Sequence, residues 1–137
     1  MRRLSTIAFA LTLAAFSSAC ESSPTEPTGS TSLTLAPGAS GTFGTLTLTF
    51  IEVTADSRCP GDAICITAGD AQVAIATRFP GLGPSQAGEL FLNEPSKRSI
   101  ERGDYKVTFE ALAPYPFLSL GPISPGSYRA TFRIERK

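Results

Sequence analysis

The sequence has no histidine and no tryptophan among its 137 residues, and it has only three cysteines. Histidine is the commonest general base and the commonest neutral metal ligand, so its absence excludes Ser-His-Asp and Cys-His catalysis and most zinc and copper sites. Twelve basic residues balance twelve acidic ones, which gives no electrostatic footprint for nucleic acid. We therefore expect no metal, no cofactor and no nucleic-acid partner.

Long apolar runs are also missing, because the longest one covers only residues 4–16 and is too short for a transmembrane span. This run follows Met1-Arg2-Arg3 and precedes small residues, which is the order of a removable export signal. The stretch Phe16-Ser17-Ser18-Ala19-Cys20 resembles the lipobox of bacterial lipoproteins, in which cleavage occurs before a cysteine that carries diacylglycerol on its sulfur. It departs from that pattern at Ser17, where leucine is usual.

The resemblance implies that residues 1–19 are a lipoprotein signal peptide and that the lipid on Cys20 attaches the protein to a membrane. By the same resemblance, Glu21 favours the outer membrane, with the protein facing the periplasm or the cell surface. The alternative is an ordinary signal peptide that is cut near Ala19 and leaves Cys20 free. Residues 20–31 contain Pro, Ser and Thr and no apolar side chain after Cys20, so we expect a flexible tether with a reach of roughly 35 Å.

The remaining residues, 32–137, are enough for one small domain with a single core. Their apolar side chains recur with a period of two between Gly and Pro turns, which predicts an all-β domain. The clearest alternations predict inward-facing side chains at Leu46, Leu48, Phe50, Ala71, Val73, Ile75, Thr77, Phe79, Leu90, Leu92, Tyr105, Val107, Phe109, Ala111, Tyr128, Ala130, Phe132 and Ile134.

We expect these strands to form an antiparallel β-sandwich of immunoglobulin-like type, with a small β-barrel as the alternative. In detail, residues 42–53 read as one long strand. Its apolar phase slips at Phe50-Ile51, since Ile51 and Val53 belong to the other face, and such a slip is the signature of a bulge or of a crossing between sheets.

One segment, residues 56–73, contains Asp56-Ser57-Arg58-Cys59-Pro60, a second cysteine at Cys65, and Ala68-Gly69. It resembles a group of small, uncharacterised bacterial secreted proteins and lipoproteins, as do Pro114-Tyr115-Pro116 and the final strand that begins Ser127-Tyr128-Arg129-Ala130. The sequence departs from the group at Thr67, where tryptophan is expected. The resemblance implies an envelope location and this fold, and it transfers no catalytic residue.

If Cys20 is lipidated, Cys59 and Cys65 are the remaining pair, and they can meet across a turn at Pro60-Gly61 in an oxidising compartment. We expect a disulfide that contributes about 2 kcal/mol by closing a short loop. Asp56 is expected to cap the loop or to pair with Arg58. The alternatives are a redox pair and a cation site on Asp56, Asp62 and Asp70.

The candidate binding residues are Asp56, Arg58, Asp62 and Asp70 in this loop, together with Tyr115 and Phe117 in the Pro-rich segment 113–119. For Tyr115, Phe117 and Leu118 we expect a fold-back that covers one end of the sandwich, and the alternative is an exposed contact patch.

No nucleophile and base stand in a recognisable arrangement, so the sequence favours a non-catalytic binding or interaction module, with an envelope protein or polysaccharide as partner. A structural part of an envelope assembly is the alternative, and an enzyme is the third.

Overall fold

The computed structural model describes residues 29–137, in which eight strands form two antiparallel sheets. The predicted signal peptide, Cys20 and most of the tether lie outside the described residues. The strands are β1 (Ser30–Leu35), β2 (Ser40–Phe43), β3 (Leu46–Asp56), β4 (Ala71–Arg78), β5 (Gln86–Phe91), β6 (Ser99–Arg102), β7 (Tyr105–Ala113) and β8 (Arg129–Arg136). Three single-turn 3₁₀ helices lie in the loops at Pro95–Lys97, Leu118–Leu120 and Pro125–Ser127.

The predicted antiparallel β-sandwich is confirmed. One sheet has the order β1-β8-β7-β6 and the other has the order β2-β3-β4-β5. The first strand begins earlier than expected, because Ser30 and Thr31, which the sequence placed in the tether, pair with Glu135 and Ile134 of β8.

The connections differ from the immunoglobulin arrangement that the sequence suggested. In that fold, Greek-key connections move the chain between sheets, so strands adjacent in sequence are often in different sheets. Here β2 to β5 are neighbours in order within one sheet, and β6 to β8 are neighbours in order within the other. Antiparallel neighbours in sequence order therefore build each sheet, joined by short turns or, at β3–β4 and β7–β8, by long loops, and only the connections β1 to β2 and β5 to β6 cross between the layers.

The core lies between the sheets and consists of the alternate side chains that the sequence predicted. Fully buried members include Leu46, Leu48, Phe50, Val73, Ile75, Val107, Phe109, Phe132 and Ile134. Three of the rings form a continuous contact across the layers, since Phe132 stacks on Phe109 at 5.5 Å and meets Phe50 edge-on at 6.0 Å. The alternation is sufficient to assign these residues to one face because each sheet buries only one side.

Two local predictions were wrong and a third was wrong in part, each where the chain departs from a regular strand. Residues 42–53 do not form one strand, because a turn at Gly44, which has φ of +58°, makes a hairpin of β2 and β3. Ala111 is exposed and Leu112 is buried instead, since a register shift follows Phe109. The predicted bulge after Phe50 is present, but it leaves Ile51 exposed and returns Val53 to the core side.

The sandwich has two distinct ends. At one end lie the start of β1 at Ser30, the end of β8 and the turn at Gly81-Leu82-Gly83. At the other end lie the connection from β3 to β4 and the connection from β7 to β8. The eight residues of β8 separate these ends by about 27 Å.

Candidate functional site

The two segments singled out by the sequence meet at the same end of the sandwich. The β3–β4 loop (residues 57–70) and the β7–β8 loop (residues 114–128) are joined by a backbone hydrogen bond from Gly61 N to Pro116 O of 2.9 Å. The carboxylate of Asp62 accepts the N–H groups of Leu118 and Ser119 at 2.7 and 2.9 Å. The loops therefore form one hydrogen-bonded unit.

Arg58 fastens the base of this unit and is itself buried, with only 5% of its surface exposed. Its guanidinium donates to both oxygens of Asp56 at 2.7 Å, in the bidentate geometry that makes such pairs strong. It also donates to the carbonyls of Leu112 and Pro114 at 2.6 and 3.0 Å, and it lies over the ring of Tyr115 at 5.2 Å. The predicted pairing of Asp56 with Arg58 is present, and Arg58 is too buried to serve as a contact residue.

Asp56 also accepts a hydrogen bond of 3.1 Å from the hydroxyl of Tyr128, a buried residue that immediately precedes the last strand. Burial alone raises the pKa of Asp56, but the hydrogen bonds and the charge of Arg58 outweigh it, so the pKa lies below its ordinary value. Burial and the neighbouring negative charge raise the pKa of Tyr128. Asp56, Arg58 and Tyr128 thus form a satisfied polar cluster beneath the two loops.

The other two candidate carboxylates serve different contacts. Asp62 is exposed, and its two backbone hydrogen bonds hold its pKa below the ordinary value of 3.8. Asp70 accepts the N–H groups of Ala71 and Asn93 at 2.7 and 2.8 Å, which fixes the β3–β4 loop to the segment that follows β5. Within residues 29–137 no group of three or more Asp, Glu or Cys side chains is placed to hold a metal ion.

The predicted disulfide between Cys59 and Cys65 is confirmed, with the two Cα atoms 5.9 Å apart. Beside it, Cys59 N donates to the carbonyl of Ala68 at 2.8 Å. The loop is therefore closed by both a covalent bond and a hydrogen bond. The residues on either side of Cys65, Ile64 and Ile66, are both fully exposed.

The expected fold-back of the β7–β8 loop over the core is wrong for most of its apolar side chains. Tyr115 is 50% exposed, Phe117 39% and Leu118 69%. The hydrogen bonds to Arg58 and Asp62 hold the loop against the β3–β4 loop instead, and Phe117 packs so closely on Gly61 that a Cβ there would lie 2.6 Å from the ring. The exposed side chains of both loops, which we call the apolar end surface, are Ile64, Ile66, Tyr115, Phe117, Leu118 and Leu120.

Sequence reasoning missed Ile64, Ile66 and Leu120 as candidate contact residues, and it gave contact by Leu118 only as the alternative. A usable signal was present for the first two, because they are large aliphatic side chains in a Gly, Pro and Asp-rich loop with no strand alternation.

Beside the apolar end surface lies a groove of about 430 Å³. Its walls are apolar and are formed by Pro60, Pro116, Phe117, Leu118, Pro122 and Ile123. Its ionisable lining groups are Asp56 and Tyr128, which are hydrogen bonded to each other. A smaller cavity of about 260 Å³ adjoins it and shares Phe117, Pro122 and Ile123 as lining residues. The arrangement presents apolar contact surface, with the polar groups beneath it already paired.

No helix in residues 29–137 is long and apolar enough to cross a membrane. Comparisons with protein-family models, with curated proteins and with solved structures give no match.

We predict that Arg58→Met lowers the free energy of unfolding by about 3 kcal/mol, because it leaves the carboxylate of Asp56 and two carbonyls without their buried donor. Urea denaturation of purified protein measures this value. Arg133→Met is the matched control, since Arg133 is in an exposed pair with Glu110 and its loss should cost less than about 1 kcal/mol. Equal losses in both variants would contradict the role given to Arg58.

We also predict that the stabilising effect of the Asp62 carboxylate depends on pH. Its pKa is lower in the folded chain than the ordinary value of 3.8, so the stabilisation is complete above that value and is lost as the pH falls through the folded pKa. Asp62→Asn should therefore melt at a lower temperature than the wild type near neutral pH, and the difference should disappear in acid. A difference of the same size at all pH values would show that the charge of Asp62 has no part in holding Leu118 and Ser119.

Proposed function

We propose that the protein is a lipid-anchored, non-catalytic binding module of the bacterial cell envelope, and that it binds through the apolar end surface. The observation that carries the proposal is the exposure of six large apolar side chains on two loops that are hydrogen bonded to each other. The N-terminal pattern that ends at Cys20 supports the lipid anchor and the envelope location.

The size of the surface supports a recognition role. At about 100 Å² for a fully exposed apolar side chain, the six residues present on the order of 400 Å². Tyr115, Phe117, Leu118 and Leu120 are joined through the two adjoining grooves that they line, and exposed apolar patches of a few hundred Å² are often functional. Exposing these apolar side chains to water is unfavourable, and the fold does not need them at these positions. A partner that covers them would remove this unfavourable exposure.

The way the loops are held supports binding as well. The disulfide, the Arg58 contacts and the Asp62 contacts fix both loops before any partner arrives. Loops that are already ordered lose little further conformational entropy when a partner binds. They therefore bind more tightly than flexible loops that make the same contacts.

The two ends of the sandwich support the anchored arrangement. The chain reaches the domain at Ser30, at the end opposite to the apolar end surface. A lipid on Cys20 would therefore be joined to the end of the domain that lacks the apolar end surface. Nine residues separate Cys20 from Ser30, so the ten steps between the two would hold the domain within roughly 33 Å of that membrane.

Photo-crosslinking in intact cells tests the binding role. With p-benzoylphenylalanine at Ile66 or Leu120, we expect adducts to an envelope component, because both positions lie in the apolar end surface. Leu82 is the matched control, since it is 75% exposed but lies at the other end of the domain. Equal adducts from Leu82, or none from any position, would contradict the proposal.

The anchor is tested in the same cells by metabolic labelling with a fatty-acid analogue. The wild type should carry the label and Cys20→Ala should not, while adducts from Leu120 should be weaker in Cys20→Ala because the domain is no longer held at the membrane. Equal labelling of the two proteins would contradict lipidation of Cys20. The proposal that the apolar end surface binds a partner would then depend on the cross-links alone.

A further inference from the structure

We propose that the partner of the apolar end surface is a peptide segment in extended conformation, with apolar side chains at alternate positions and a basic residue beside them. The inference rests on the proposed binding function and specifies the chemistry of what is bound. It is carried by the two adjoining grooves of the surface and by the sign of its charge.

The two grooves adjoin each other, so each can take one side chain of the same bound segment. The larger, of about 430 Å³, includes Leu118 in its wall, and the smaller, of about 260 Å³, includes Leu120. Both are lined by Phe117, Pro122 and Ile123, so the two share a boundary. In an extended peptide, side chains at i and i+2 lie on the same face about 6.6 to 7 Å apart, and a receptor with neighbouring pockets selects for them.

The charged groups closest to the two grooves are acidic. Among residues 56–70 the charged side chains are Asp56, Arg58, Asp62 and Asp70, and residues 113–128 contain none. Arg58 is buried against Asp56, and Arg129 at the start of β8 donates to the carbonyls of Gly126 and Tyr128 and lines neither groove. Asp62 is exposed and accepts the N–H of Leu118, which lines the larger groove. A lysine or arginine next to the apolar residues of the partner complements this arrangement, whereas an anionic membrane surface or an acidic peptide is repelled.

The charge also argues against a second copy of the chain. Joining two copies through the apolar end surface would bring the exposed Asp62 carboxylates of both copies into one interface, where like charges repel. A basic segment of another protein meets no such repulsion.

Selection from a phage-displayed library of random peptides tests the proposal with the purified mature protein. We expect enriched sequences to carry apolar residues at alternate positions with Lys or Arg beside them and to be poor in Asp and Glu. Leu118→Ser/Leu120→Ser should weaken binding of the enriched peptides at least about tenfold, since it removes one wall from each groove. Leu82→Ser should bind them as the wild type does. All three substituted side chains are exposed, so folding is not at risk.

Two outcomes of the selection would contradict the proposal. No enrichment over the double variant, or enrichment of acidic sequences, would overturn the peptide proposal. If the double variant instead lowers adsorption of the Cys20→Ala protein to phosphatidylcholine vesicles, the surface is a lipid contact and the peptide proposal is wrong. In either case, adducts from Ile66 or Leu120 in cells would still support the binding function, and their absence would remove both.

Discussion

The buried guanidinium of Arg58 sets the arrangement of the end of the domain where the β3–β4 and β7–β8 loops meet. A cation out of contact with water must be paired and fully hydrogen bonded, and Arg58 achieves this with the carboxylate of Asp56 and the carbonyls of Leu112 and Pro114. Because these partners belong to different strands and loops, satisfying one side chain forces the β7–β8 loop against the β3–β4 loop. With its start held in this way, the β7–β8 loop leaves Tyr115, Phe117, Leu118 and Leu120 exposed.

The sandwich supplies the second half of the arrangement. Two four-stranded sheets with their core between them give a rigid body with two separate ends, and the strand directions put the loops at one end and Ser30 at the other. Stability therefore comes from the alternating core, which includes Phe50, Phe109 and Phe132. The core does not need the apolar side chains of the two loops, so these side chains can stay exposed.

The sequence predicts most of this core but little of the apolar end surface. Alternation identifies Val107 and Phe132 because one face of each sheet is buried, yet it fails at Ala111, where an irregular register inverts the pattern. The Cys59–Cys65 bond is predicted from a short loop that is local in sequence. The exposure of Leu118 and Leu120 is not predicted, since it depends on Arg58 reaching carbonyls 54 and 56 residues away, and no local pattern encodes such a contact.

The central claim is that the two loops form one clasped unit in solution, and amide hydrogen exchange tests it most directly. The N–H groups of Gly61, Leu118 and Ser119 bond across the loops, so we expect them to exchange far more slowly than unstructured peptide and to lose protection together in Arg58→Met. Exchange of these three amides at unprotected rates in the wild type would mean that the loops move independently, and it would contradict the account.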